Sequence, residues 1–108
     1  MSLVRRPATM EEYLELVKSA LFDVEELRMS VEYDMEFMEG ALSFVEPLAK
    51  DLRDLQNAIT DGSYEFTDKD LPFMPIVQSQ SNLNLPFKPV LRMINETHRK
   101  GLQTEEEA

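Results

Sequence analysis

The sequence contains no cysteine and no tryptophan, only three glycines, and 11 basic residues against 21 acidic ones in 108 positions. Without cysteine there is no disulfide framework, no thiolate nucleophile and no thiolate metal ligand. Three isolated glycines build no phosphate-cradling loop and are too few for the tight turns of an all-β chain. The shortage of cations leaves a net charge of −10, and such a surface repels phosphate backbones, whose binding depends on basic side chains displacing counterions. The only basic pairs, Arg5–Arg6 and Arg99–Lys100, have no aromatic stacking platform beside them, so nucleic acid is not expected as a partner. An acidic surface mostly keeps a protein soluble and less often marks a basic partner.

Long apolar runs are missing too. Nothing approaches the ~18 uninterrupted apolar residues of a membrane helix, and the amino end has no apolar signal-peptide core. No membrane association and a cytoplasmic location are therefore expected. Asn95-Glu96-Thr97 spells a glycosylation acceptor, which reads as coincidence without an export signal.

What is present is helix-forming. Hydrophobic residues make up 43% of the chain, enough for one modest core. Residues 1–8 read as a flexible leader, 9–102 as a single helical domain and 103–108 as an acidic disordered tail. Thr9-Met10-Glu11-Glu12 is a capping box, with the Thr9 hydroxyl placed to accept from the third amide. Apolar residues then recur in steps of three and four: Leu14, Leu21, Met35 and Leu42 in one row, Val17, Val24, Val31, Met38 and Val45 in the other. This seam predicts a long first helix over about 10–39, with Gly40 as the break. Tyr13, Ala20, Leu27 and Ala41 widen the stripe to bundle width, which argues against a simple parallel zipper.

Leu48, Leu52, Leu55 and Ile59 define a second helix over about 44–61, started by Ser43-Phe44-Val45-Glu46 and ended by Asp61-Gly62. A helical hairpin is preferred to one long helix kinked at Pro47. Residues 62–88 read as a long irregular segment packed across the helices, with Leu71-Pro72-Phe73-Met74-Pro75 on an extended path. A last helix over about 89–100 carries Val90, Leu91, Ile94 and His98 on one side and closes at Gly101. No internal repeat is found. The fold class expected is all-α, a small helical bundle.

No catalytic, cofactor or metal site is expected. His98 is the single histidine, which excludes the paired Glu-x-x-His ligands of di-iron bundles. In a last helical turn it is better suited to the helix dipole than to acid–base work. Ser79 and Ser81 have no partner histidine or elbow glycines. Glu25, Glu32 and Glu39 read as a solvated acidic face. Arg28, which interrupts the seam, either pairs with Glu25, Glu32 or a partner's acid, or snorkels to water, the latter preferred.

A second apolar set lies off the seam: Phe22, Met29, Tyr33, Phe37 and Phe44. A helix apolar on two sides needs cover on two sides, and a 30-residue rod of about 45 Å outruns a domain of this size. These five residues are the candidate interface, Met29 and Met74 being adaptable contact residues. The expected role is non-enzymatic protein–protein interaction, with a homo-oligomer, a dimer above all, as the favoured assembly and another protein as the alternative partner. The competing reading is a small-molecule or peptide-binding module with a pocket between the helices and the 66–77 segment, lined by Phe66, Phe73 and Ile76.

Overall fold

The computed structural model describes residues 6–33, 42–80 and 85–103. Among them the chain forms four helices and no strand: α1 (Met10–Tyr33), α2 (Leu42–Asp61), α3 (Met74–Ser79) and α4 (Lys88–Lys100). The all-α bundle read from the sequence is the observed fold.

α1 starts where the capping box predicts. The Glu12 amide donates to Thr9 Oγ1 at 3.1 Å, and the Glu12 carboxylate accepts from the amide of Ala8 at 3.0 Å, so two of the amides a helix start leaves unpaired are satisfied. Tyr13, Leu16, Val17, Ala20 and Val24 are buried, and Leu14, Leu21 and Leu27 half-buried. The core therefore sits on the valine-and-alanine side of the seam. The described part of α1 is 24 residues, about 36 Å at the helical rise, and fits within the 49 Å long axis of the molecule. Residues 34–39 of the expected first helix, with Phe37, Met35 and Met38, lie outside the described residues.

α2 packs along α1 and contributes Phe44, Val45, Leu48, Ala49, Leu52 and Leu55 to the core. It begins at Leu42 and runs through Pro47, so Ser43 is inside the helix and not at its cap. The interhelical edge is laced by ion pairs: Arg28 Nε meets Glu46 at 3.1 Å, and Arg53 meets Glu25 at 3.1 Å. Arg28 does not reach for water alone; its guanidinium also lies 3.6 Å from Glu25. Gly62, with φ +83°, ends α2, and the Tyr64 amide returns to the Ala58 carbonyl at 3.1 Å. Only glycine takes that backbone region without Cβ strain.

The segment after Gly62 differs from expectation. Met74–Ser79 is helical, where an extended path was expected from the prolines. Pro75 is the second residue of α3, where a helix needs no amide donor. A repeat also emerges: Leu71-Pro72-Phe73-Met74-Pro75 and Leu85-Pro86-Phe87-Lys88-Pro89 have the same pattern and the same structure. In each, the leucine is buried, a turn follows, the phenylalanine precedes the first helical residue, and its carbonyl accepts from the amides three and four residues on. The first proline holds the leucine extended and the second pre-sets the helix. α3 and α1 both pack on α4.

The two ends of the described chain meet. Pro7 is buried, the Gln103 amide donates to its carbonyl at 2.8 Å, and Arg6 Nε donates to the Gly101 carbonyl at 3.0 Å. Of the leader expected over 1–8, the described part, 6–8, is thus tied to the end of α4.

The burial pattern predicts a sharp contrast. Leu52→Ala, at a site fully shielded from solvent, should lower unfolding free energy by about 2–5 kcal/mol. Phe22→Ser, on a side chain 63% exposed, should change it by under about 0.5 kcal/mol. Urea denaturation of the two variants checks both.

Candidate functional site

Three places bear on function: a buried polar joint, a depression on α4, and the outer face of α1.

The joint holds the 63–71 strap against α1 and α4. Tyr13 of α1 is fully buried, and its hydroxyl lies 3.3 Å from the Ile94 carbonyl and 3.0 Å from the Tyr64 hydroxyl. Tyr64 OH is 2.5 Å from His98 Nδ1, and His98 Nε2 is 2.8 Å from Thr67 Oγ1. The Lys69 amide donates to Thr67 Oγ1 at 3.3 Å. Both ends of this chain are carbonyls, Ile94 O facing the Tyr13 hydroxyl and Lys69 O accepting from Thr67 Oγ1 at 3.5 Å. A carbonyl can only accept, so the protons between them run one way or the other according to the His98 tautomer, and in either sense both ring nitrogens of the neutral imidazole are engaged. Phe66 closes the cluster, its ring edge-on to Tyr64 at 5.1 Å and stacked on Tyr13 at 6.0 Å.

Electrostatics agree with the geometry. Burial pushes the Tyr13 hydroxyl well above the ordinary tyrosine range, with the hydrogen bond and charge of Tyr64 adding to it. Burial likewise raises Tyr64 and lowers His98, each shift favouring the neutral form. His98 is therefore not the solvent-facing residue of a last turn. It is buried, and both ring nitrogens are engaged by the strap. The spacing of Leu91, Ile94 and His98 carried this placement; its partners, Tyr64 and Thr67, lie too far away in sequence for any local pattern to reveal. Asn95 repeats the arrangement beside it, accepting from the Leu71 amide at 2.7 Å and donating to Asp70 at 3.0 Å.

The pocket expected from Phe66, Phe73 and Ile76 is not assembled by those residues. Phe73 is 1% exposed and part of the core, Ile76 packs against that core, and Phe66 caps the tyrosines. Met74, expected on a contact surface, is buried as well. An open depression of 430 Å³ does lie between Met74, Gln78, Asp68 and the Arg92–Arg99 face of α4. Its cations are largely committed, since Arg99 pairs with Asp70 at 3.4 Å and Lys100 with Glu96 at 3.0 Å.

The outer face of α1 is different. Phe22 is 63% and Met29 61% exposed. At 100° per residue, the i, i+4, i+7 set Phe22, Glu26 and Met29 lies roughly opposite the buried Tyr13–Val24 side. Of the five residues of the candidate interface, Phe44 is corrected: it is 4% exposed and belongs to the core. It lies on α2, so the α1 periodicity that groups Phe22 with Met29 does not extend to it. Tyr33 is the last residue of α1, and Phe37 lies outside the described residues. Among the described residues no three acidic or histidine side chains converge as metal ligands would, and no helix is long and apolar enough to cross a membrane.

The joint predicts a pH dependence with a definite sign. The folded state holds the His98 pKa below its ordinary 6.5, so between the two values the unfolded chain binds more protons. The stabilisation is fully present above about pH 6.5 and is lost as pH falls toward the folded pKa. Denaturation midpoints should fall between about pH 7.5 and 5.5, and His98→Gln should flatten that window. Tyr64→Phe, which leaves Tyr13 and His98 each short of one partner, should cost about 1–3 kcal/mol.

No protein-family model, curated protein or solved structure matches this chain.

Proposed function

We propose that the protein acts by binding another protein through the outer face of α1, and that the binding is non-enzymatic. The observation that carries this reading is the pair of exposed side chains, Phe22 and Met29, two helical turns apart on one face. Aromatic and methionine side chains are enriched where proteins meet, and are costly to leave in water without a use. A lone exposed apolar residue is unremarkable; two on one strip, on a helix otherwise buried on its opposite side, form an anchor.

Size bears on the kind of assembly. A standard interface buries about 800 Å² per partner, and two side chains offer a fraction of that. With Phe44 in the core, the strip is shorter than the five-residue face on which the homodimer expectation was built. A charge of −10 on every copy also opposes self-association. The reading therefore favours a transient complex with a different protein over a permanent dimer. The pocket alternative has less behind it, because the depression on α4 is open and two of its three cations are self-paired.

Site-specific photo-crosslinking in cells tests the proposal. A benzophenone amino acid at position 22 or 29 should yield a discrete adduct identifiable by mass spectrometry, and one at Asn57, exposed on α2, should not. Equal labelling from all three positions would remove the case for α1.

A further inference from the structure

Beside the exposed strip lies a groove whose charge is all of one sign. Between α1 and the Leu85–Phe87 turn, a concavity of 360 Å³ is lined by Asp23, Glu26, Leu27, Ser30, Pro86 and Phe87. Its apolar residues, Leu27 and Phe87, are partly buried against the core, so the floor is fixed. Its two ionisable residues are both carboxylates, and neither makes an ion pair or side-chain hydrogen bond among the described residues. Glu15, Glu25, Glu46, Asp54, Asp70 and Glu96 have cationic partners, whereas Asp23 and Glu26, like Glu11, Asp51, Glu65 and Asp68, have none among the described residues; what sets Asp23 and Glu26 apart is that they line one concavity together, beside exposed apolar side chains. Glu26 lies one turn from both Phe22 and Met29, so the acidic rim and the apolar strip are one continuous surface.

We propose that this surface docks a cationic amphipathic segment of a partner protein, its apolar side chains against Phe22, Met29 and the Leu27–Phe87 floor, and its lysines or arginines against Asp23 and Glu26. The inference rests on reading the strip as an interaction surface and adds the chemistry of what binds there. Charge complementarity selects this occupant over a second copy. This chain carries 11 cations to 21 acids, and the two cations of α1 are already engaged, Lys18 by Glu15 at 3.8 Å and Arg28 by Glu46 at 3.1 Å. A second copy would bring more carboxylates to a surface that already has two unpaired. A basic segment would instead be steered in by the field of the whole protein, and its association rate would fall with salt.

A synthetic 18-residue Lys/Leu peptide with helical amphipathic spacing serves as the probe, beside a scrambled peptide of the same composition. By ¹⁵N NMR, the amphipathic peptide should shift amides within 19–30 and 85–87 and bind more tightly than the scrambled one. The Asp23→Asn/Glu26→Gln double variant should weaken binding about tenfold. The control Glu65→Gln/Asp68→Asn, which removes the same charge elsewhere, should change it less than about twofold. Equal weakening by both doubles, or shifts spread over the acidic surface, would overturn the inference. So would concentration-dependent shifts at 22 and 29 without peptide, which would make a second copy the occupant and leave the strip reading intact. Undiminished binding by Phe22→Ser/Met29→Ser would sink the strip reading itself.

Discussion

Val17, Ala20 and Val24 turn the small-residue side of α1 toward Val45, Leu48, Ala49 and Leu52 of α2, and all seven are shielded from solvent. Small and β-branched side chains let two helices approach closely and lock with few rotamers to freeze. The rest of the molecule follows from that pairing. Arg28 and Arg53 can reach Glu46 and Glu25 only because the helices run side by side. Such half-exposed pairs contribute little energy each; their effect is on register, since a shift along the seam would separate both. α4 and the strap then cover what α2 leaves open, Tyr13 being the residue through which α1, the strap and α4 are joined.

The hydroxyl–imidazole chain explains why a strap with so few buried residues stays in place. Residues 65–70 are all exposed, and burial of apolar area cannot hold them. Polar bonds to α4 do so instead: His98 to Tyr64 and Thr67, Asn95 to Asp70 and the Leu71 amide, Arg99 to the Asp68 carbonyl. These form a ladder along one side of α4, from Asn95 to Arg99. Net energies per bond are modest, but each buried partner left alone carries a larger penalty, so the ladder is cooperative.

How much of this was legible in the sequence depends on the range of the signal. Helix position and the Thr9 cap follow from local chemistry, and Gly62 and Gly101 mark the two helix ends where a positive φ is required. Period-seven spacing groups Phe44 with the face of α1, but the phase of a helix holds only within that helix, and Phe44 belongs to α2. The prolines at 72 and 75 favour an extended path by local rules, though Pro75 stands where a helix tolerates it, and the same five-residue pattern at 85–89 also leads into a helix. The joint around His98 was beyond reach: its members come from positions 13, 64, 67, 94 and 98, and only tertiary packing brings them together. Of the interface expected from sequence, Phe22 and Met29 keep their exposure, because it depends only on their angle from the buried side of one helix.

The distribution of charge separates the parts of the surface that hold the fold from those left over. In an acidic chain, cations are the scarce resource, and the structure places most of the described ones opposite acids of its own: among the described residues two bridges tie α1 to α2, one ties α4 to the strap, and four lie within single helices. Several carboxylates beyond that number, Glu11, Asp51 and Glu65 among them, have no cation opposite them among the described residues. They could be spread evenly, which would serve solubility alone. Asp23 and Glu26 instead flank a fixed apolar floor and an exposed Phe–Met strip. Burying those apolar side chains in a complex would partly desolvate the adjacent carboxylates, which is unfavourable against an apolar or acidic partner and favourable only where a cation arrives with it. In the proposed complex the two groups that draw a basic segment in would therefore also reject the wrong one, specificity coming from charge and grip from the apolar strip.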